Sequence, residues 1–310
     1  MLLGHAPKLS RMRYLAIALC GAAVLAGCGD STGDSESPAD GGFDADRAFA
    51  DLEAQVDIGP RPSGSPGARD TAELISSQLE EAGVADVVIQ EPYANVLGRI
   101  DGSEPGTVVV GAHYDTKSGI SGFLGANDGA SGVAVVLELA RALPRSLPGP
   151  SVSFALFDAE EVRGDQPFEV DGTRGSRQYV EYAGDGGHQG SPALDQIRAM
   201  VLFDLVGDCD LEIPLEAQSD PALYQLFADA AKANMGDAAP FEGATTPIAD
   251  DHVPFLQAGV PALDLIDFEY GPGPAPGAYW HTSEDTLDKV CPESLDAVGE
   301  AALTAIPQIR

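Results

Sequence analysis

The sequence predicts an α/β protein: a single domain on a central mixed, mostly parallel β-sheet, with helices on both faces. Short apolar runs recur at Val87 to Ile89, Thr107 to Ala112, Val152 to Phe157, Ala199 to Val206 and Pro261 to Ile266. Runs apolar on both faces suit strands that are covered on both sides. Helical stripes lie between or after them, and that alternation places helices over both faces of one sheet. A chain of 310 residues fits one large α/β unit plus a leader. With 44% hydrophobic and 21% charged residues, it is neither disordered, collagen-like nor a coiled coil.

Taken in order, residues 1–27 read as an export signal. Lys8, Arg11 and Arg13 precede an apolar stretch from Tyr14 to Ala26, too short for a conventional membrane span. It ends in Leu25-Ala26-Gly27-Cys28, which resembles the lipobox of bacterial lipoproteins; an ordinary signal peptide with a chance Cys is the alternative. The resemblance implies acylation of Cys28 and an exported domain held at the bacterial envelope by lipid alone. Gly29 after the Cys, rather than Asp, resembles outer-membrane sorting if the cell is Gram-negative. Residues 28–42, the Cys and the acidic stretch GDSTGDSESPADGG, read as a flexible tether, leaving 43–310 as the folded domain.

Within the domain, Ala68, Ala72, Ile75, Leu79 and Ala82 share one helical stripe, and Gly83 stops it. Further stripes are Val133, Val136, Leu137 and Ala140; Leu223, Leu226, Phe227 and Ala230; and Leu295, Val298, Ala302 and Ile306. His188, in the glycine-rich GDGGHQG, reads as exposed loop. Cys209 and Cys291 suit either a disulfide in an oxidising compartment or two buried thiols, and both remain open. Lys and Arg total 17 against 49 Asp and Glu, a formal charge of -32. So acidic a chain cannot replace the counterions of a phosphate backbone, which excludes nucleic acid as a partner.

Chemistry gathers where the apolar runs stop. TVVVGA leads into His113-Tyr114-Asp115, SVSFALF into Asp158-Ala159-Glu160-Glu161, and AMVLF into Asp204. Ligands of open α/β sheets bind beyond the carboxyl ends of the strands, so these side chains converge on one rim. His, Asp and Glu with few Cys form an N/O donor set suited to catalytic zinc. Asp128, in the tight loop GANDGASG, and His281, in YWHTSEDT, would complete it. Adjacent Glu160 and Glu161 on a turn can point apart, one toward a metal and the other free to carry a proton. There is no GxSxG elbow and no HExxH helix.

The ordered series GPRPSGSPGARD, GAHYD, GANDGASGV, FALFDAEE, GSRQYV, VLFDLVG, ADDHVPF, GVPALDLI and YWHTSEDTLD, over residues 57–300, resembles the zinc aminopeptidases of metallopeptidase family 28 and the glutaminyl cyclases that share their fold. The resemblance implies the zinc aminopeptidase/glutaminyl cyclase fold, with 43–310 as a zinc-dependent catalytic domain acting on peptide or protein N-termini. It places zinc on Asp128, Glu161 and His281, with His113 and Asp204 as the ligands a second zinc would use and Asp128 bridging. It also makes Glu160 the general acid and base, and Asp115 the partner that orients His113.

Three features resemble the cyclases more than the peptidases. VRGDQPFEVDGTR separates Glu161 from Gly175-Ser176, an insertion like theirs, although without the second pocket tryptophan of the animal enzymes. VLFDLVG lacks the Asn that peptidases more often carry two before the Asp, and Asp250-Asp251-His252 stands where they usually have Ser before Asp-His. By that resemblance Asp204 and Asp251 share a hydrogen-bonded proton, and Trp280, the only tryptophan, walls the pocket. The expectation is a one-zinc glutaminyl-peptide cyclotransferase that converts N-terminal Gln to pyroglutamate and releases ammonia. The alternatives are a two-zinc aminopeptidase and, remotely, a non-catalytic binding lipoprotein.

Overall fold

A computed structural model describes residues 42–310. The expected export signal, Cys28 and most of the expected tether lie outside these described residues. The chain runs α1 (Ala45–Ile58), α2 (Pro66–Glu81), β1 (Ala85–Gln90), β2 (Asn95–Ile100), β3 (Thr107–His113), α3 (Ser131–Ala142), β4 (Ser151–Phe157), α4 (Phe168–Asp171) and α5 (Arg174–Gly184). It continues through β5 (Ile197–Asp204), α6 (Pro221–Met235), α7 (His252–Gln257), β6 (Ala262–Ile266) and α8 (Pro292–Ala305). The strands form one six-stranded sheet ordered β1-β2-β4-β3-β5-β6. The β4, β3, β5 and β6 strands are parallel, whereas β1 and β2 join antiparallel at one edge.

Side-chain alternation along β3 builds the two sides of the core. Val108, Val110 and Ala112 pack with residues from α1, α2, α3, α6 and α8, while Val109 packs with Tyr179 of α5 and Phe255 of α7. All seven residues of β3 are buried, as a central strand covered on both faces requires. Helix α2 follows its sequence signals: Ser65 accepts a hydrogen bond from the Ala68 N–H, Pro66 opens the helix, and Ala68, Ala72, Ile75 and Leu79 are buried.

Strand β2 and helix α1 fall outside the sequence expectations. In β2, Gly98 and Arg99 interrupt the apolar run, yet a Cβ at Gly98 would come within 2.6 Å of Val84. The glycine is a packing requirement where α2 and β1 cross the sheet edge.

Parallel strands deliver their carboxyl ends to one rim. His113 pairs with Phe157 and Asp204 with Ile266, so the last residues of neighbouring strands lie level. Beyond that rim Cys209 and Cys291 form a disulfide, answering the question the sequence left open. It ties the segment after Asp204 to the segment after His281, reinforced by the Cys291 N–H to Gly207 carbonyl bond of 3.0 Å. The bond closes a sequence separation of 82 residues, for which loop-closure entropy gives about 4 kcal/mol. Reduction is therefore expected to lower the melting temperature by about 10 °C; calorimetry with and without reductant checks it, and an unchanged transition would show that the bond contributes nothing.

Candidate active site

Each functional side chain is set by a local backbone device at the rim. Glu160 and Glu161 follow β4 on a turn in which Ala159 takes the left-handed conformation, φ 61°. Leu205, just after Asp204, and His281 itself do the same, at φ 50° and 53°. Non-glycine residues hold this conformation at a cost of about 1–3 kcal/mol, and such costs collect where side chains must be aimed. The Asp115 carboxylate accepts the amide N–H groups of Glu160 at 3.0 Å and Glu161 at 3.3 Å. Asp115 also faces His113, but its backbone carbonyl makes the closer contact with Nδ1, 3.1 Å against 3.7 Å for the carboxylate. Its carboxylate therefore does more to shape the Glu160–Glu161 turn than to orient the imidazole.

Asp128 is held just as firmly. Asp285 accepts the N–H groups of Asn127 at 2.8 Å and Asp128 at 3.1 Å, plus the Tyr270 hydroxyl at 2.7 Å. Arg61 is fully buried, and its guanidinium donates to the carbonyls of Tyr114, Leu124 and Gly125. It thereby fastens the loops that carry Asp115 and Asp128. Gly129 has φ 98°, and a Cβ there would come within 2.8 Å of the Asp115 carbonyl.

Two donor groups share Asp128. The ligand atoms of Asp128, Glu161 and His281 lie within 4.8 Å of one another, as do those of His113, Asp128 and Asp204. His281 Nε2 is 2.8 Å from Glu161 Oε1 and 3.3 Å from Asp128 Oδ2. His113 Nε2 is 3.1 Å from Asp204 Oδ1 and 3.4 Å from Asp128 Oδ1. Asp128 Oδ2 is buried and makes no hydrogen bond, although His281 Nε2 stands 3.3 Å away, which is what a metal-ligating oxygen looks like when only its protein neighbours are counted. Two carboxylates and one imidazole fit zinc.

The electrostatics match. Burial opposes charge on His281, yet Asp128 and Glu161 raise it to about 9. Burial also resists ionisation of Asp128, but His113 and His281 hold its carboxyl below the ordinary range. A cluster this negative keeps a proton on its imidazole, and a cation binds by displacing that proton. Burial pushes Glu160 well above the usual carboxylate range; His113 opposes this, and Glu161, Asp250 and Asp251 add to it.

These groups open into a cavity of about 370 Å³ whose walls include Val162, Phe168, Ile248, Ile266, Phe268 and Trp280. Trp280 stacks on His281 at 3.7 Å and meets Phe268 edge-on at 5.4 Å. Phe168 comes from the insertion, at the cavity wall where no tryptophan is available. Lys117 lies at the rim, 3.6 Å from Glu161 Oε2.

The structure brings together His113, Asp128, Glu160, Glu161, Asp204, Trp280 and His281, but it corrects the expectation for Asp251. Asp250, not Asp251, lines the cavity with Asp204. The Asp251 carboxylate turns the other way and accepts the Ser176 hydroxyl of α5 at 2.5 Å. The reason is local geometry: α7 begins at His252, the Asp251 N–H folds onto Asp250 Oδ1 at 2.5 Å, and consecutive side chains leave such a turn in different directions. Burial first, then Asp204 and Asp251, push Asp250 well above the carboxylate range. His188 is exposed, its ring tilted against Tyr182 with centroids 4.0 Å apart.

Residues 95–306 match the sequence model described as Peptidase family M28. The chain belongs to that family. A glutaminyl-peptide cyclotransferase of Bothrops jararaca is 30% identical over 281 residues, covering 76% of this chain and 74% of that one. The crystal structure of an Acidobacteriales bacterium glutaminyl cyclase superposes with a TM-score of 0.75 at 31% identity, over 89% of this chain and 97% of the other. A leucine aminopeptidase precursor from Bacteroides thetaiotaomicron VPI-5482 gives 0.71 at 25% identity, over 87% and 98%. This M28 chain is thus an enzyme, an acyltransferase or an aminopeptidase, and its family and donor set both point to zinc.

Proposed function

We propose that the protein is a glutaminyl-peptide cyclotransferase, closing N-terminal glutamine on its own α-amine to give pyroglutamate and ammonia. The observation that carries this over peptide hydrolysis is Asp250 beside Asp204 in the cavity, a carboxyl where peptidases of this resemblance usually carry serine. Two neighbouring buried carboxyls resist joint ionisation, which favours a proton on Asp250, while Asp204 faces His113 at 3.1 Å; together they offer a second ion less charge than two free carboxylates would. One zinc on Asp128, Glu161 and His281 would supply polarisation of the γ-carbonyl.

The chain's own residues supply the rest. The apolar walls from Ile248, Phe268 and Trp280 exclude water and hold the glutamine side chain folded toward its amine. As the α-nitrogen bonds to the γ-carboxamide carbon, Glu160 accepts the amine proton, and it returns a proton to the amide nitrogen as the C–N bond breaks. Its raised pKa suits both halves of that transfer.

The test follows a Gln-initiated and a Leu-initiated peptide by mass with the zinc-loaded protein. Ammonia lost from the first, with the second intact, is expected; release of free Leu with the Gln peptide unchanged would mean an aminopeptidase. That second reading draws on the His113–Asp128–Asp204 group.

We further infer that the enzyme is exported and anchored through Cys28. The Leu25–Cys28 motif and the disulfide, which suits an oxidising compartment, support this. Cell fractionation of a Cys28→Ser variant is expected to release it from the membrane; retention there would remove the anchor.

A further inference from the structure

The cavity wall formed by Pro247, Ile248, Ala249 and Asp250 belongs to a loop outside the strands and helices. Apart from the turn into α7, where the Asp250 carbonyl accepts the Val253 N–H at 2.9 Å, its hydrogen bonds to the rest of the chain come from one place, the segment 216–219. Glu216 Oε1 accepts the Ile248 N–H at 3.0 Å, the Ala217 N–H donates to the Thr246 carbonyl at 3.1 Å, and the Gln218 amide donates to the Ile248 carbonyl at 3.1 Å. Glu216 also reaches the far end of the loop, where its Oε2 lies 3.2 Å from Nε2 of His252, the first residue of α7. The other ring nitrogen of His252 lies 3.5 Å from Asp264 Oδ2 on β6. Glu216, His252 and Asp264 are all at most 1% exposed.

Glu216 therefore holds the loop before Asp250 by a hydrogen bond to Ile248 and contacts it after Asp250 at the His252 ring, without lining the cavity itself. Its second oxygen also accepts the N–H groups of Gln218 and Ser219, both at 2.9 Å, and the Ser219 hydroxyl at 3.1 Å. Burial pushes this carboxyl upward, but His252 and the N–H groups of Ile248 and Gln218 win and hold it below its ordinary value, as an anion. A buried carboxylate with this many donors is a rigid anchor.

We propose that Glu216 is a positioning residue for the reaction, holding Asp250 and the Pro247–Ile248 wall against the substrate through Ile248 and His252. The proposal rests on the cyclase reading only for the identity of that substrate.

The test uses the full-length zinc enzyme and the variants Glu216→Gln, Glu216→Ala and Gln218→Ala. Zinc content, kcat and KM are measured on both Gln- and Leu-initiated peptides. The wild type decides which reaction is catalysed; the ratio of variant to wild type, on whichever peptide turns over, decides the positioning role. Glu216→Ala is expected to raise KM at least about tenfold at unchanged zinc content. Gln218→Ala, at an exposed position that folding tolerates, is expected to raise KM about threefold, and Glu216→Gln, which keeps an acceptor for Ile248, to fall between. A merely structural role would lower kcat by reducing the folded fraction and leave KM alone. Because Trp280 is the chain's only tryptophan and lies in the cavity, its fluorescence gives a second readout: ligand titrations should weaken in step with KM. Unchanged KM and unchanged titrations in Glu216→Gln and Gln218→Ala would overturn the proposal, whether or not Glu216→Ala folds.

Discussion

Glu160→Gln is expected to lower kcat by about 1,000-fold or more while zinc content and KM stay near wild type. The substitution keeps the shape of the side chain and leaves the Glu160 N–H on Asp115 untouched, so the turn that aims Glu161 survives. Asp128, Glu161 and His281 are unchanged, and the donor set with them. What disappears is the ability to accept and return a proton from a buried position where burial, Glu161, Asp250 and Asp251 favour the protonated form and only His113 opposes. Steady-state kinetics and elemental analysis on one preparation check this. Glu161→Gln is the contrast, since it should lose metal and activity together. Wild-type-like turnover by Glu160→Gln would remove Glu160 from proton transfer, and loss of zinc would reassign it to metal binding.

The parts of this site most legible in the sequence are those fixed by strand ends. Apolar runs buried on both faces announce themselves, and a parallel sheet puts whatever follows them on one rim; His113, Glu160, Glu161 and Asp204 were visible for that reason. Asp128 and His281, which lie on turns, were legible through the motifs around them, but which of two neighbouring turn residues faces the cavity was not. Asp250 and Asp251 are chemically identical neighbours, and only the entry geometry of α7 decides which one faces the cavity. Asp285 and Arg61 act at long range, across 157 residues from Asp285 to Asp128 and 53 from Arg61 to Tyr114, with nothing in their local sequence to mark the contact. The apolar wall was legible only at Trp280, because Ile248, Phe268 and Phe168 look like ordinary core or loop residues until the chain folds. Strand β2 was hidden by Gly98, whose presence reflects crowding against Val84, and by the exposed Arg99, which faces Asp86 and Asp101; neither breaks the sheet.

The second large effect is expected from Asp128→Asn, and its comparison with His113→Phe counts the metal ions. Asp128 presents Oδ2 toward His281 and Oδ1 toward His113, at 3.3 Å and 3.4 Å, so it belongs to both donor groups. Replacing it by Asn removes the negative charge and one ligating oxygen, and the loss should exceed the roughly 10- to 100-fold in metal affinity that even outer partners of a metal site cost. Asn at 128 still donates its backbone N–H to Asp285, so the loop keeps its shape and the loss can be read as ligation. His113→Phe touches only the His113–Asp128–Asp204 group. If Asp204 is engaged by Asp250, the variant should bind one zinc per chain, as the wild type does, and lose activity only as far as Asp204 and Glu160 lose a neighbouring charge. If the peptidase reading holds, the wild type should carry two zinc ions and His113→Phe one. Zinc per chain in wild type, Asp128→Asn and His113→Phe separates the cases: one, none and one in the first; two, fewer than one and one in the second. A wild-type stoichiometry of two would withdraw the one-ion mechanism even if a Gln-initiated peptide were cyclised.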